Sequence, residues 1–527
     1  MPKPFYLTTP LYYPSDRLHV GNAYTTVAGD AMARFQKMRG FDVYFLVGTD
    51  EHSQKVENKA KAAGLSPQAY VDGIVDGIKA LWKLLNIDYD SFIRTTSPNH
   101  VAAVGEIFQR LYDKGEIYKG PYSGLYCTDC EAFWSEGQLV DGKCPDCGRE
   151  VHPMEQEAYF FRLSAYADRL LRLYEENPDF IQPVSRKNEM INNFIKPGLQ
   201  DLCVSRASSS WGVPLPFDPS QVAYVWVDAL FGYLSGIGFG TKDDAAYRKY
   251  WPADIHLVGK EIVRFHSIIW PALLMALDIP LPKKVFGHGW LTGVTGDKLS
   301  KSKGNSADPV TLCEEYSVDA VRYFLLREMP FGSDGAFSIE ALAHRINADL
   351  ANDLGNLVSR STAMVAKYFP AAGAALPDGV KAAGVIPAER EALPADEELK
   401  ALALSVKGGM ESAMDALEYS TALGELWKLV SRANKYIDET APWALAKSSD
   451  DRAKLAGVLY TLCESIRVIA VLVTPFMPDT GAKILDLLSV PEEARTFDSV
   501  TRFGVLPASA VIYSGAPLFP RIDLQNI

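Results

Sequence analysis

Between Val20 and Arg39 the apolar residues Tyr24, Val27, Ala28, Ala31, Phe35 and Met38 recur at the spacing of one helical face. Gly40 follows as the expected C-cap of that helix. Upstream, Phe5–Thr9 reads as a short strand, set apart from the helix by the turn residues Pro10, Pro14, Ser15 and Asp16. Downstream, Val43–Val47 is continuously apolar, as a strand buried on both faces should be. Strand, loop, helix and strand in this order predict a parallel α/β sheet. Ligands in such sheets bind at strand-end loops and at the point where strand order reverses. The pattern changes between Gly115 and Pro216, where turns, aromatics and cysteines crowd together, and this segment reads as an insertion. Strand-like runs return at Val222–Val227, Ile255–Val258 and Lys284–Gly287, predicting the other half of the same sheet. Ala371–Glu397, rich in Ala, Pro and Gly and without periodicity, reads as a loop or linker. Long amphipathic stretches at Glu398–Ala416, Ser420–Asp438 and Asp451–Leu472 then predict a helix bundle.

A chain of 527 residues is long enough for two to four domains, at about 100–200 residues each. Its 48% hydrophobic and 22% charged residues exclude disorder as the dominant state. The net charge of −12 argues against indiscriminate coating of nucleic acid, but leaves room for a local basic surface that docks one RNA. The clean apolar stretches Ile268–Leu277 and Val468–Met477 each contain a proline. Both are shorter than the roughly 18–20 residues of a membrane span. Met-Pro-Lys-Pro leads straight into the first strand without a signal-peptide pattern, so a cytoplasmic protein with no membrane partner is expected.

Seven cysteines, an odd number, do not read as a disulfide framework. Four of them form two knuckles, Cys127-Thr-Asp-Cys130 and Cys144-Pro-Asp-Cys147-Gly148, separated by thirteen residues. Paired CxxC knuckles can arrange four thiolates tetrahedrally around one Zn²⁺, leaving no open position, so the ion would be structural. A redox pair and unligated buried cysteines are the competing readings. Cys203, Cys313 and Cys463 stand singly, as core cysteines do.

Leu18-His19-Val20-Gly21-Asn22 lies where the first strand hands over to the first helix. Free N–H groups and the positive dipole end favour phosphate there, Gly21 permits close approach, and His19 can donate a hydrogen bond. A solvated histidine at a helix start is the plainer alternative. Lys298-Leu299-Ser300-Lys301-Ser302-Lys303, flanked by Gly296 and Gly304, is a cationic loop able to neutralise a leaving pyrophosphate, or simply an exposed basic turn. Neither a P-loop nor a GxGxxG fingerprint occurs.

The ordered pair of HxGN after the first strand and KLSKS after the second half-sheet resembles the signatures of class I aminoacyl-tRNA synthetases, and the methionyl-tRNA synthetase family in particular. The resemblance covers nearly the whole chain. It includes Thr8-Thr9-Pro10-Leu11-Tyr12-Tyr13, Gly48-Thr49-Asp50-Glu51-His52, Arg186-Lys187-Asn188-Glu189, Tyr224-Val225-Trp226-Val227-Asp228-Ala229, Lys260–Trp270 and Ala441-Pro442-Trp443. Asn22 stands where the family commonly has a second histidine, Leu299 where Met is common, and Ser53 where glycine is frequent.

The resemblance implies a Rossmann-like parallel-sheet catalytic domain split by a zinc-knuckle insertion, followed by an all-α anticodon-binding domain. The expected division is 1–115 and 217–296 for the two catalytic halves, with 116–216 the connective insertion. Residues 297–350 would form the lysine loop and stem-contact region, and 351–527 the helical domain. It implies L-methionine, ATP with Mg²⁺ and tRNA(Met) as partners, serving initiation and elongation alike. The methionine pocket would comprise Leu11, Tyr13, Asp50, Trp226, Ala229, Leu230, Tyr233, Ile262, His266 and Trp270. ATP would meet His19, Gly21, Asn22, Gly289, Trp290, Lys298, Ser300 and Lys301, with His19, Asn22, Lys298 and Lys301 catalytic. Asn352, Asn356, Arg360 and Trp443 would read the anticodon. The end at Ile527 leads to the expectation of a monomer. The runner-up is an adenylating enzyme for another apolar amino acid, although the chain has no room for a long editing insertion. A zinc-containing RNA-binding module without catalysis is the reading from a different class.

Overall fold

The computed structural model describes residues 2–526, apart from 130, 131, 135, 137, 138, 146, 208–210, 295, 297–307, 372–374 and 509. Lys298, Ser300, Lys301 and Cys130 therefore lie outside the described residues. Contacts group the chain into two units. The first is Met1–Ala33, Phe41–Lys83 and Ile87–Trp290; the second is Arg34–Gly40, Leu84–Asn86 and Leu291–Ile527.

A six-stranded sheet organises the first unit, and every neighbouring pair in it is parallel. Its order is Ser91–Arg94, Asp42–Thr49, Pro4–Tyr12, Ile255–Gly259, Val285–His288 and Ile181–Gln182. The chain winds one way from Pro4–Tyr12 and the other way from Ile255–Gly259. The order thus reverses between these two strands, which pair in the register Thr8↔His256. That is the switch point at which ligand crevices open in parallel sheets. Helix Val20–Met38 follows the first strand, and Gly40 beyond it has φ +82°, the left-handed C-cap conformation.

The first strand runs on to Tyr12, past the expected end at Thr9, with a register shift between Thr8 and Leu11. Pro10 has no N–H to donate, so the ladder breaks around it and resumes. Val222–Val227 is not one strand. Residues Asp218–Ala223 form a strand of a separate small sheet, and Val225–Ser235 is a helix buried on almost every side. A helix buried on almost every side has no apolar periodicity to tell it from a strand. The insertion segment contributes a four-stranded antiparallel sheet, ordered Ala132–Trp134, Ile117–Cys127, His152–Phe161 and Leu202–Cys203. It also lends Ile181–Gln182 to the edge of the main sheet.

In the second unit the helices Pro394–Asp415, Tyr419–Thr440 and Arg452–Val473 form the bundle. The expected linker is not structureless, because Val380–Val385 pairs antiparallel with Val511–Gly515. Arg452–Val473 is long and apolar enough to cross a membrane, yet its apolar window is 94% buried inside the protein. It is the core helix of the unit, stitched by the fully buried pair Arg467–Glu464. The Glu464 carboxylate also accepts the N–H groups of Gly504, Val505 and Leu506.

Candidate active site at the switch point

The first helix is capped reciprocally by its own signature residues. Gly21 N–H donates to His19 Nδ1 (3.0 Å), and His19 N–H donates to Asn22 Oδ1 (3.1 Å). The side chain at the cap thus bonds forward while the side chain at the third helical position bonds back, as in a capping box. Both tautomer and amide orientation follow: His19 carries its proton on Nε2, and Asn22 keeps its NH₂ as a donor. Two N–H donors at a helix N-terminus are suited to phosphate oxygens.

Leu11 lies near the end of the first strand, Tyr13 just beyond it, and Asp50 follows the second strand, its N–H donating to Tyr12 O (3.0 Å). Asp50 is buried. Helix Val225–Ser235 approaches this wall through Gly232, where an added Cβ would lie 2.5 Å from Leu11 Cδ1. Trp226 meets Tyr13 edge to face at 5.9 Å and stacks on Phe265 at 4.0 Å. The Tyr233 hydroxyl bonds His266 Nε2 (2.7 Å), and His266 Nδ1 bonds Ile262 O (2.9 Å). A carbonyl only accepts, so Nδ1 carries the proton and Tyr233 donates. Burial holds His266 neutral, its pKa down at about 4, and pushes the Tyr233 phenol well up. Trp270 is fully buried at the start of helix Trp270–Ala276. Ile262, His266 and Trp270 do not share one α-helical face, as their spacing suggested. Lys260–Ile262 is a 3₁₀ turn and Phe265–Ile269 a π-helical turn, a widening common at functional sites. Ala229 and Leu230 are buried within the same helix as Trp226.

Around the last strand, His288 Nδ1–H donates to Gly289 O (2.7 Å) and its Nε2 accepts from Thr25 Oγ1 (2.7 Å). Trp290 Nε1–H donates to Glu261 (2.5 Å), and Lys260 lies over the same indole at 4.1 Å. Sequence reasoning missed Glu261, Lys260 and Phe265 as site residues. It also missed Trp211, whose Nε1–H reaches Glu51 O (2.7 Å) and whose ring edges against His52. Behind them, Asp228 accepts from His52 Nδ1 and His100 Nε2, each at 2.8 Å. Burial alone would raise the Asp228 pKa, but the two histidines bring it down to about 2. The motifs that contain His52, Asp228 and Lys260–Trp270 do not announce these pairings, because residues far apart in sequence meet only in the fold.

In the insertion segment Cys127, Cys144 and Cys147 converge with all sulfurs within 4.8 Å of one another, and Cys127 Sγ to Cys147 Sγ is 3.6 Å. Zn–S bonds of about 2.3 Å in a tetrahedron put sulfurs about 3.8 Å apart, so the spacing fits a thiolate-bound metal. Gly148, with φ +69°, turns the second knuckle and donates to Cys144 O (2.8 Å).

In the second unit Arg360 bonds Asp438 (3.2 Å) and faces the half-exposed Trp443 ring at 6.0 Å. Asn352 lies within the π-helical segment Ile346–Gly355, Asn356 opens the next helix, and both are exposed. Asp353, Ser431 and Asn434, which the sequence reading did not select, hydrogen-bond one another beside them.

A family model described as class I tRNA synthetases (M) matches residues 5–156 and 147–362, and the anticodon binding domain of methionyl tRNA ligase matches 386–526. The chain belongs to the class I methionyl-tRNA synthetase family. It is 58% identical over 526 residues to the methionine--tRNA ligase of Caldanaerobacter subterraneus subsp. tengcongensis, covering 100% of this chain and 80% of that one. It is 53% identical to that of Bacillus subtilis, covering 99% of this chain and 78% of that one. Among solved structures it is similar to the Mycobacterium tuberculosis methionyl-tRNA synthetase in complex with methionyl-adenylate. There the TM-score is 0.92 and the identity 44%, over 98% of this chain and 100% of that one. The chain is therefore an ATP-dependent aminoacyl-tRNA ligase for methionine, with a parallel-sheet catalytic unit and a helical anticodon-binding domain.

Proposed function

We propose how the named residues divide this work. The methionine carboxylate attacks the α-phosphorus of ATP, a P–O bond forms, the bond to the β-phosphate breaks and pyrophosphate leaves. The 3′-terminal ribose hydroxyl of tRNA(Met) then attacks the adenylate carbonyl and AMP leaves. No enzyme nucleophile is needed, so positioning and electrostatics carry the catalysis.

The observation that carries this reading is the aromatic wall of Tyr13, Trp226, Tyr233 and Trp270 gathered at the switch point beside buried Asp50. A thioether is apolar and polarisable and favours aromatic edges, while a carboxylate holds the substrate ammonium. Leu11, Ala229, Leu230, Ile262 and His266 complete the pocket. His19 Nε2–H and Asn22 Nδ2–H bind ATP phosphates, with Gly21 allowing close approach. Gly289 and Trp290 line the adenine and ribose site, and Lys298, Ser300 and Lys301 act on the pyrophosphate side. ATP is taken with Mg²⁺.

Cys127, Cys130, Cys144 and Cys147 hold one structural Zn²⁺, which supplies a rigid cross-link to the insertion and no chemistry at the reacting atoms. Asn352, Asn356 and Arg360 read base edges and phosphate, and Trp443 stacks an exposed base. Residues 116–216 serve as the connective insertion and 297–350 as the stem-contact region. The working enzyme acts in the cytoplasm.

The test is amino-acid-dependent ATP–pyrophosphate exchange with methionine, leucine, isoleucine, valine and homocysteine. Strong exchange with methionine, far above the apolar competitors, is expected. Exchange led by another amino acid, or none in zinc-replete folded protein, overturns the assignment.

A further inference from the structure

Behind the aromatic wall lies a second buried histidine, for which the pocket assignment has no use. His256 is fully buried on strand Ile255–Gly259, directly across from Thr8 on the neighbouring strand. Its Nδ1 is 2.6 Å from Thr8 Oγ1, and Trp270 Nε1–H donates to its Nε2 (3.3 Å). The indole N–H can only donate, so Nε2 must be bare and the proton must sit on Nδ1, donated to Thr8. The opposite tautomer, or the imidazolium, would set two N–H groups against each other in a dry site. The His256 ring also lies against Tyr233, with centroids 4.6 Å apart.

His266 does the same for the other polar ring atom. Its Nε2 accepts the Tyr233 hydroxyl proton while its Nδ1–H is held by Ile262 O. Two neutral imidazoles of the same tautomer thus take up the N–H of Trp270 and the O–H of Tyr233 from behind.

We infer that His256 is a positioning residue for substrate selection: by accepting the Trp270 N–H and anchoring on Thr8, it fixes the indole and keeps that N–H from standing as a free donor at the methionine side-chain slot. This rests on the pocket reading above. A thioether neither needs nor rewards a strong donor. An ether or sulfoxide of the same length would be rewarded by one. Discrimination against such isosteres therefore depends on the N–H being occupied.

Two amide substitutions separate the roles of the two ring nitrogens. His256→Gln keeps an acceptor near Nε2, whereas His256→Asn keeps only a group near Nδ1. Exchange kinetics with methionine and with its ether isostere O-methylhomoserine, together with the change in intrinsic tryptophan emission on adding methionine, form the readout. In His256→Asn the methionine KM should rise about 5–30-fold, the range of one lost buried hydrogen bond, with kcat within about threefold. Its preference for methionine over O-methylhomoserine should shrink by a similar factor, and the emission response should change. His256→Gln should stay within about threefold of the parent on every readout.

A parental KM, selectivity and emission response in the Asn variant overturns the proposal. Equal impairment of both variants also overturns it, because the Trp270 acceptor would then not be what matters. If the Asn variant does not fold, Thr8→Val carries the test, since it removes the acceptor that fixes the Nδ1–H tautomer without adding bulk. A raised KM at unchanged kcat supports the inference, and parental kinetics and emission overturn it. If the parent itself shows no methionine-dependent exchange, the pocket reading fails first and the inference falls with it.

Discussion

Asn22 shows how a departure at one residue can be absorbed by local bonding. Where the family commonly has a second histidine, this chain has an amide whose oxygen caps the His19 N–H and whose NH₂ remains a donor. Asn22→Ala should remove the cap, costing about 1 kcal/mol of stability, and should remove the donor too. Asn22→Asp separates the two effects. The carboxylate still accepts the His19 N–H and sits favourably at a helix N-terminus, so the thermal midpoint should hold or rise. The donor, however, becomes a negative charge where the ATP phosphates are proposed to bind. Exchange should therefore fall more than about tenfold, mainly through the ATP KM. Thermal melts beside ATP-dependent exchange kinetics check this pair; an Asp variant with parental kinetics would remove Asn22 from phosphate binding. Ser53 is a second case. In place of the frequent glycine it caps helix Gln54–Ala62, accepting the Val56 N–H (3.1 Å).

Among the elements, the insertion carries the clearest consequence. Trp134 packs in one small buried cluster with Cys127 and Cys144. The Arg264 guanidinium lies 5.0 Å from the Trp134 ring, 5.2 Å from Phe194 and 5.0 Å from Phe265, which stacks on Trp226. Cys144→Ser should release the metal, measured as loss of stoichiometric zinc, and shift Trp134 emission, while far-UV circular dichroism stays near the parent. A variant that retains one zinc per chain would count against thiolate ligation by Cys144. The convergence of Cys127, Cys144 and Cys147 was legible because thiolate spacing is a local rule. So were the first strand, the first helix and the bundle helices, whose apolar periodicity belongs to each segment alone. Val225–Ser235 was not, since burial on all sides erases the period. Nor was Val380–Val385, whose small residues carry little β signal and whose partner strand lies more than a hundred residues on. Within the site, no motif contained His256, and the motifs that contain Phe265 and Asp228 did not show that these side chains stack on Trp226 and bind His52 and His100.

For the molecule as a whole, the buried histidines set how stability should respond to acid. Burial lowers the pKa of His256, His266 and His288 below the ordinary value near 6.5. Unfolded, each would bind a proton as the pH drops through about 6.5; folded, His266 stays neutral until about pH 4, and His256 and His288 also take up their protons only below the unfolded value. The unfolded chain then holds more protons, so stability is full above about pH 6.5 and is lost as the pH falls toward the folded values. Three such groups give a limiting slope of about 4 kcal/mol per pH unit. Carboxylates act lower down and with both signs. Asp228, at about 2, withdraws its contribution only below the range of an ordinary aspartate. Asp319 and Asp353, raised by burial, protonate first in the folded state and offset part of the loss near the bottom of the range. Between pH 6.5 and 5 the histidines should therefore dominate. Denaturant midpoints at pH 7.5, 6.5, 5.8 and 5.0 should hold across the first interval and then drop steeply. His266→Gln, which keeps an amide near the Tyr233 hydroxyl but cannot titrate, should reduce the slope by about a third whatever it does to absolute stability. A parent whose stability is flat down to pH 5 would mean that these rings are solvated or protonated in the folded chain. The neutral tautomers assigned to His256 and His266, and with them the occupation of the Trp270 N–H and the Tyr233 O–H, would then have to be abandoned.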